Sequence, residues 1–99
     1  MPEIYDMRMR DGSRHFASLA EAGSWHALHE HVMRLEGVSD TNMITDEVTE
    51  AWIDFRYRGH EFSVNNQCGE YWFFVEDPAC PEEVLEAMLS HCKLLLEGG

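Results

Sequence analysis

The stretch that decides the fold runs from residue 51 to residue 75 and reads AWIDFRYRGHEFSVNNQCGEYWFFV. It holds two of the three tryptophans, four of the five phenylalanines and two of the three tyrosines. Three apolar or alternating runs are separated by RGH and NNQCG, a pattern typical of strands joined by tight turns. The stretch therefore predicts an antiparallel three-strand meander that supplies most of the hydrophobic core.

The last of these runs, YWFFV, is apolar on both faces, whereas the first two alternate between apolar and polar residues. A strand that is apolar on both faces is usually covered on both sides. Two helices on one face would leave Trp52, Trp72 and Phe74 uncovered on the other. An exposed aromatic patch marks an interaction site. We therefore predict that these three residues are covered by the N-terminal hairpin or form an interface with a second copy.

The segment before the meander contains signals for a hairpin and a helix. Residues 4–10 alternate in polarity, and the Asp11-Gly12 pair favours a tight turn into a second strand over residues 13–17. Ser18 starts a Ser-x-x-Glu capping box, which predicts a helix that ends at Gly37. Ser24 offers an alternative cap for a shorter helix. Residues 38–50 are polar and acidic and are expected to form a loop.

The segment after the meander predicts the most regular helix of the chain. Pro81 suits the first turn, and the acidic pair that follows it suits the positive end of the helix dipole. The predicted class is α+β: a three- to five-strand antiparallel sheet with two helices packed on one face, in the order β(β)-α-β-β-β-α. The length of 99 residues is expected to form a single domain over residues 1–99.

Composition limits the classes of partner. The formal net charge is −12, opposite to the balance of nucleic-acid-binding proteins, so no nucleic-acid partner is expected. No apolar run approaches the roughly 20 residues of a membrane span, so no membrane partner is expected either. The three cysteines form no C-x-x-C pair, which favours free thiols and a cytoplasmic location. An acidic surface serves solubility or attracts a basic protein.

Two groups of side chains are candidate ligand sites. His26, His29 and Glu30 would share one flank of a helix, a set able to hold zinc or another divalent metal. The alternative for this group is a solvated helix flank. A second group of four arginines flanks the two hairpins and would bind a small anion if the hairpins were neighbours. These residues are Arg8, Arg10, Arg56 and Arg58. Their alternative is pairing with nearby carboxylates on adjacent strands.

No sequence motif identifies a reaction: nucleotide-binding glycine loops and the G-x-S-x-G motif of hydrolases are both missing. The leading hypothesis is a non-catalytic protein–protein interaction module, antitoxin-, immunity- or chaperone-like, with a basic protein partner and a homodimeric state. The alternatives are a metal-binding protein and a binder of a small anionic ligand. No resident cofactor is expected apart from that metal.

Overall fold

The fold consists of a six-stranded antiparallel sheet and two helices. The structure is a computed structural model that describes residues 4–20, 24–45, 51–67 and 69–96. The elements are β1 (Met7–Arg8), β2 (Arg14–Ala20), α1 (Trp25–Met33), β3 (Val38–Thr45), β4 (Ala51–Tyr57), β5 (His60–Gln67), β6 (Glu70–Val75) and α2 (Glu82–Leu96). Their order across the sheet is β1-β2-β6-β5-β4-β3. The α+β class is confirmed, and the described residues form six strands rather than three to five.

The predicted meander is confirmed as strands β4, β5 and β6. Phe55 lies opposite Phe62, and Val64 lies opposite Phe73, so the inward residues of neighbouring strands are in register. The turn between β4 and β5 has positive φ at both Arg58 (51°) and Gly59 (82°). Positive φ at both central residues is the geometry of a turn whose twist matches the flanking strands.

One hydrophobic core joins the sheet to both helices. Leu28 and Val32 of α1 and the apolar face of α2 pack with the inward residues of β2, β4, β5 and β6. The largest fully buried side chains are Tyr57, Tyr71, Phe16, Phe55, Phe62, Phe73, Leu28, Ile53, Leu85, Met88, Leu89 and Val32. The helix predicted after Pro81 is confirmed as α2. In the part of the chain that is described, no helix is long and apolar enough to cross a membrane.

Helix α1 starts at the alternative cap. The Ser24 hydroxyl accepts a hydrogen bond from the Ala27 amide at 3.1 Å. The prediction that Ser18 starts the helix with a capping box is wrong, because residues 18–20 continue strand β2. There Ser18 lies opposite Trp72, and Leu19 is buried. Pairing with β6 satisfies the backbone groups that a helix would have satisfied. The other expected member of that box, Glu21, lies outside the described residues.

Strand β3 replaces part of the expected loop. Residues 38–45 pair with β4, with Met43 opposite Ile53, while the rest of the expected loop, 46–50, lies outside the described residues. As an edge strand, β3 has only one neighbour, and only Val38 and Met43 pack against the core. A register shift between Ser39 and Asn42 accompanies a positive φ of 50° at Asp40. This bulge explains why the segment does not show regular alternation.

The N-terminal hairpin extends the sheet. Strand β2 pairs with β6, and the short β1 pairs with β2. The face of the sheet that points away from the helices carries Trp52, Asp54, Ser63, Trp72 and Phe74, and we call it the open face. The turn of the hairpin lies at the border of the open face. It leaves part of the aromatic residues of that face uncovered, since Trp52 is 40% exposed.

Candidate binding face

The strand register assembles the open face from residues that are distant in sequence. Asp54 lies opposite Ser63, which lies opposite Phe74, which in turn lies opposite His15. The next row consists of Trp52, Asn65, Trp72 and Ser18. Since side chains alternate between the two faces of a strand, each row presents its members on the same side as its neighbours.

A cavity of about 490 Å³ opens on this face, between the hairpin turn and strands β4 to β6. Its volume lies within the usual range of ligand sites. It is lined by Met9, Asp11, Ser13, Trp52, Asp54, Glu61, Phe62, Ser63, Phe74 and Glu76. Among these described residues four are acidic and none is basic. The cavity therefore combines an aromatic wall with a negative rim.

Aromatic rings form a continuous cluster beside the cavity. Trp52 stacks against Phe74 with ring centroids 6.3 Å apart, and His15 stacks on both Phe74 and Trp72 at 4.8 Å. Tyr5 meets His15 edge-on at 5.1 Å. Of the three residues predicted as an interface, Trp52 and Phe74 line the cavity, and Trp72 lies next to it. Trp52 is 40% exposed, so one side of its indole is open to a ligand.

Hydrogen bonds hold the acidic groups of the cavity in place. The Asp54 carboxylate accepts from the Ser63 hydroxyl at 2.7 Å. The Asp11 carboxylate accepts from both the hydroxyl and the amide of Ser13, at 2.7 and 2.9 Å, and these bonds lower the pKa of Asp11. Glu61 accepts from the Arg56 guanidinium at 3.0 Å. The cavity therefore presents carboxylate acceptors that are held in fixed orientations by hydrogen bonds.

The open face also contains a buried acceptor that has no donor among the described residues. Asn65 is 4% exposed between Trp52 and Trp72, and its Oδ1 has no hydrogen-bond partner among the described residues. A buried acceptor without a donor costs about 1–3 kcal/mol.

His15 was not singled out as part of this face from the sequence. Because adjacent side chains of a strand point to opposite faces, the burial of Phe16 places the His15 ring on the open face, against Phe74 and Trp72. The register shift between His15 and Ala17 lets both Phe16 and Ala17 face the core. Its Nε2 lies 3.0 Å from the Ala17 carbonyl oxygen and therefore carries the hydrogen. Burial lowers the pKa of His15, and the bond to Ala17 opposes this shift only in part. The neutral ring is the form that fits the cluster.

We expect the His15→Gln variant to show a flatter dependence of stability on pH than the wild type. The pKa of His15 is lower in the folded protein than its ordinary value of 6.5, so below about pH 6.5 the unfolded chain binds more protons. The free energy of unfolding of the wild type therefore decreases as the pH is lowered below about 6.5, by at most about 1.4 kcal/mol per pH unit for one group. Urea unfolding of both proteins between about pH 8 and pH 5 measures this; parallel profiles would contradict it.

The sheet order separates the arginines that were predicted to form an anion site. Strands β2, β6 and β5 lie between β1, which carries Arg8, and β4, which carries Arg56. Arg8 donates to Asp6 at 2.7 and 3.1 Å, and the Arg58 guanidinium lies 5.1 Å from the centre of the Tyr57 ring. Arg10 is exposed near the hairpin turn. Arg8 and Arg56 thus lie on strands that are not neighbours, and anion binding by the four arginines stays a prediction.

The histidines of α1 are not gathered into a metal site. Within the described residues, no three His, Cys, Asp or Glu side chains are grouped as cation ligands. His26 and Glu30 are exposed, whereas the Nε2 of His29 is buried without a hydrogen-bond partner in that part of the chain. Metal binding by these three residues stays a prediction that metal analysis can test.

A different histidine pair joins the two helices. His31 Nε2 donates to the His91 carbonyl oxygen at 2.6 Å, and His91 Nε2 donates to the His31 carbonyl oxygen at the same distance. The two rings stack with centroids 4.0 Å apart. These contacts fix α1 against α2 on the side of the sheet opposite the candidate site, so this pair has a structural role.

The cysteines near α2 are not activated. Cys80 directly precedes Pro81 at the start of α2, where a helix N-terminus would favour a thiolate, but the residue is only 3% exposed. Burial, reinforced by the Asp77 carboxylate, raises the pKa of Cys80 to about 11. Burial likewise raises the pKa of Cys92 to about 12. Both thiols are protonated at neutral pH and serve the core.

Comparison of the chain with protein-family models, with curated proteins and with solved structures finds no match in any of the three. The functional argument therefore rests on the geometry and charge of the open face.

Proposed function

We propose that the protein is a non-catalytic interaction module whose open face binds a basic segment of a protein partner. The observation that carries this proposal is the cavity on that face, in which Trp52 and Phe74 form an apolar wall and four carboxylates form the rim. Interface centres are enriched in aromatic residues and need complementary charge from the partner. A lysine- or arginine-bearing segment supplies that charge.

A basic partner suits the cavity better than a second copy of the chain does. Two copies brought together at this face would each contribute Asp11, Asp54, Glu61 and Glu76 to one interface. Like charges brought together at an interface cost several kcal/mol. The homodimer expected from the sequence would have to use another surface, and gel filtration with light scattering tests it. The antitoxin-, immunity- or chaperone-like role and the cytoplasmic location belong to this proposal.

Affinity for a defined basic peptide tests the proposal. The probe is a fluorescent peptide of three Arg-Ser-Lys-Ser repeats, and the variant combines Asp54→Asn with Glu76→Gln. We expect the variant to bind about tenfold or more weakly, because each removed charge lies on the cavity. Affinity should also fall as salt is raised, because exposed charges are screened.

The matched control combines Glu83→Gln with Glu86→Gln, two exposed residues of α2 on the helix side of the molecule. It removes the same net charge, so its affinity reports the contribution of overall charge alone. We expect it to stay within about threefold of wild type. Equal losses in both variants would mean that the peptide responds to net charge and that the open face is not the binding site.

A further inference from the structure

We infer that the side chain recognised in the cavity is arginine, with its guanidinium stacked on Trp52 and hydrogen-bonded to Asp54. This inference rests on the proposed function and names the chemistry of the partner at that site. It follows from the positions of an indole face and a carboxylate on one strand, and from the shortage of donors around them.

Trp52 and Asp54 are two residues apart on β4 and point to the same face. Residues at this spacing lie about 7 Å apart along a strand, so their side chains are neighbours on the same face. One side of the indole is against Phe74, and the exposed side is the one that a ligand can reach. A guanidinium stacks through its plane and donates through its edge, so a single group satisfies both residues.

The Asp54 carboxylate is oriented to accept a hydrogen bond from a ligand in the cavity. One oxygen of Asp54 accepts from the Ser63 hydroxyl at 2.7 Å, which holds the carboxylate half-buried beside the cavity. A guanidinium–carboxylate pair already exists on the same face, where Arg56 donates to Glu61 at 3.0 Å with both side chains about half exposed. Glu61 is thereby partly neutralised, and Asp54 is the acid beside the indole that has no arginine on it in the described structure.

Other cations fit less well. A lysine ammonium is a strongly hydrated point charge that does not stack through a plane. A quaternary ammonium has no hydrogen to donate, and its recognition needs a cage of several aromatic rings. Three aromatic residues, Trp52, Phe62 and Phe74, line the cavity, and Phe62 is buried in the core, so Trp52 and Phe74 do not form a closed cage. The carboxylates and serine hydroxyls of the lining can accept hydrogen bonds from a ligand.

Three short peptides test the inference by NMR titration of the full chain. They are Ac-Gly-Ser-X-Ser-Gly-NH2 with arginine, lysine or citrulline at X, the last being a neutral mimic of arginine. We expect the arginine peptide to shift the Trp52 indole signal saturably and to bind about fivefold or more tightly than the lysine peptide. The citrulline peptide is expected to bind most weakly.

Asp54→Asn keeps the shape of the side chain and an oxygen for Ser63, and its thermal unfolding shows whether the fold is kept. We expect it to abolish the preference for arginine over lysine, whereas Glu86→Gln leaves the preference unchanged. Equal affinity for arginine and lysine, with the Trp52 signal still shifting, would overturn this inference and leave the proposed function standing. No shift of open-face signals with any of the three peptides would count against both.

Discussion

Replacing Phe55 with alanine is expected to lower the free energy of unfolding by about 3–5 kcal/mol. Phe55 is fully buried at the centre of β4 and stacks on Phe62 with ring centroids 5.4 Å apart. Truncation removes the ring from the middle of the core and leaves a cavity that the neighbouring strands cannot close. A loss of this size is a large part of the roughly 5–15 kcal/mol that stabilises an ordinary domain.

Equilibrium unfolding in urea measures the effect, and Phe55→Leu is the matched control. Leucine keeps most of the buried volume, so we expect it to lose less than about half as much stability as alanine does. A loss below about 1 kcal/mol for Phe55→Ala would contradict the placement of this ring in the core.

Replacing Trp52, which lies on the opposite face of the same strand, is expected to affect binding instead. Trp52→Ala should weaken the binding of the Arg-Ser-Lys-Ser peptide about tenfold or more. A few residues carry most of the binding energy of an interface, and tryptophan is enriched among them. Its indole is 40% exposed and lies outside the buried core, so the change in stability should stay small compared with that of Phe55→Ala.

Ile44→Ala is the control for this prediction. Ile44 lies directly opposite Trp52 on the edge strand β3 and is 59% exposed, yet it does not line the cavity. We expect its affinity for the peptide to stay within about threefold of wild type. If Ile44→Ala weakened binding as strongly as Trp52→Ala, the binding surface would be the edge of the sheet and not the cavity.

The sequence predicted the elements whose hydrophobic pattern is strong enough to be read locally. Residues 51–75 alternate or are continuously apolar, and α2 has a wide apolar face, so both were found at nearly their observed bounds. Strand β3 was missed because an edge strand with a bulge at Asp40 needs few apolar residues. The start of α1 was ambiguous because Ser18 and Ser24 both suit a cap, and only long-range pairing with β6 assigns Ser18 to a strand.

Only the aromatic residues of the candidate site were predicted from the sequence. The two-sided YWFFV run pointed to Trp72 and Phe74, and alternation on β4 pointed to Trp52. The acids that complete the cavity come from the hairpin turn, β4, β5 and the segment after β6, and only the sheet order brings Asp11 near Asp54. His15 lies on the open face because it alternates with the buried Phe16, and this alternation within the predicted second strand is the signal that could have found it.

The three indole groups provide the most direct test of the central claim, that a basic segment binds on the open face. Trp52 and Trp72 lie on that face, whereas Trp25 lies in α1 and packs against the core from the other side of the sheet. In proton–nitrogen NMR spectra of the full chain, titrated with the Arg-Ser-Lys-Ser peptide, each indole gives a separate signal. We predict a saturable shift that is largest at Trp52, with Trp25 unchanged. A shift of Trp25 as large as that of Trp52, or no saturable shift at Trp52, would contradict the claim.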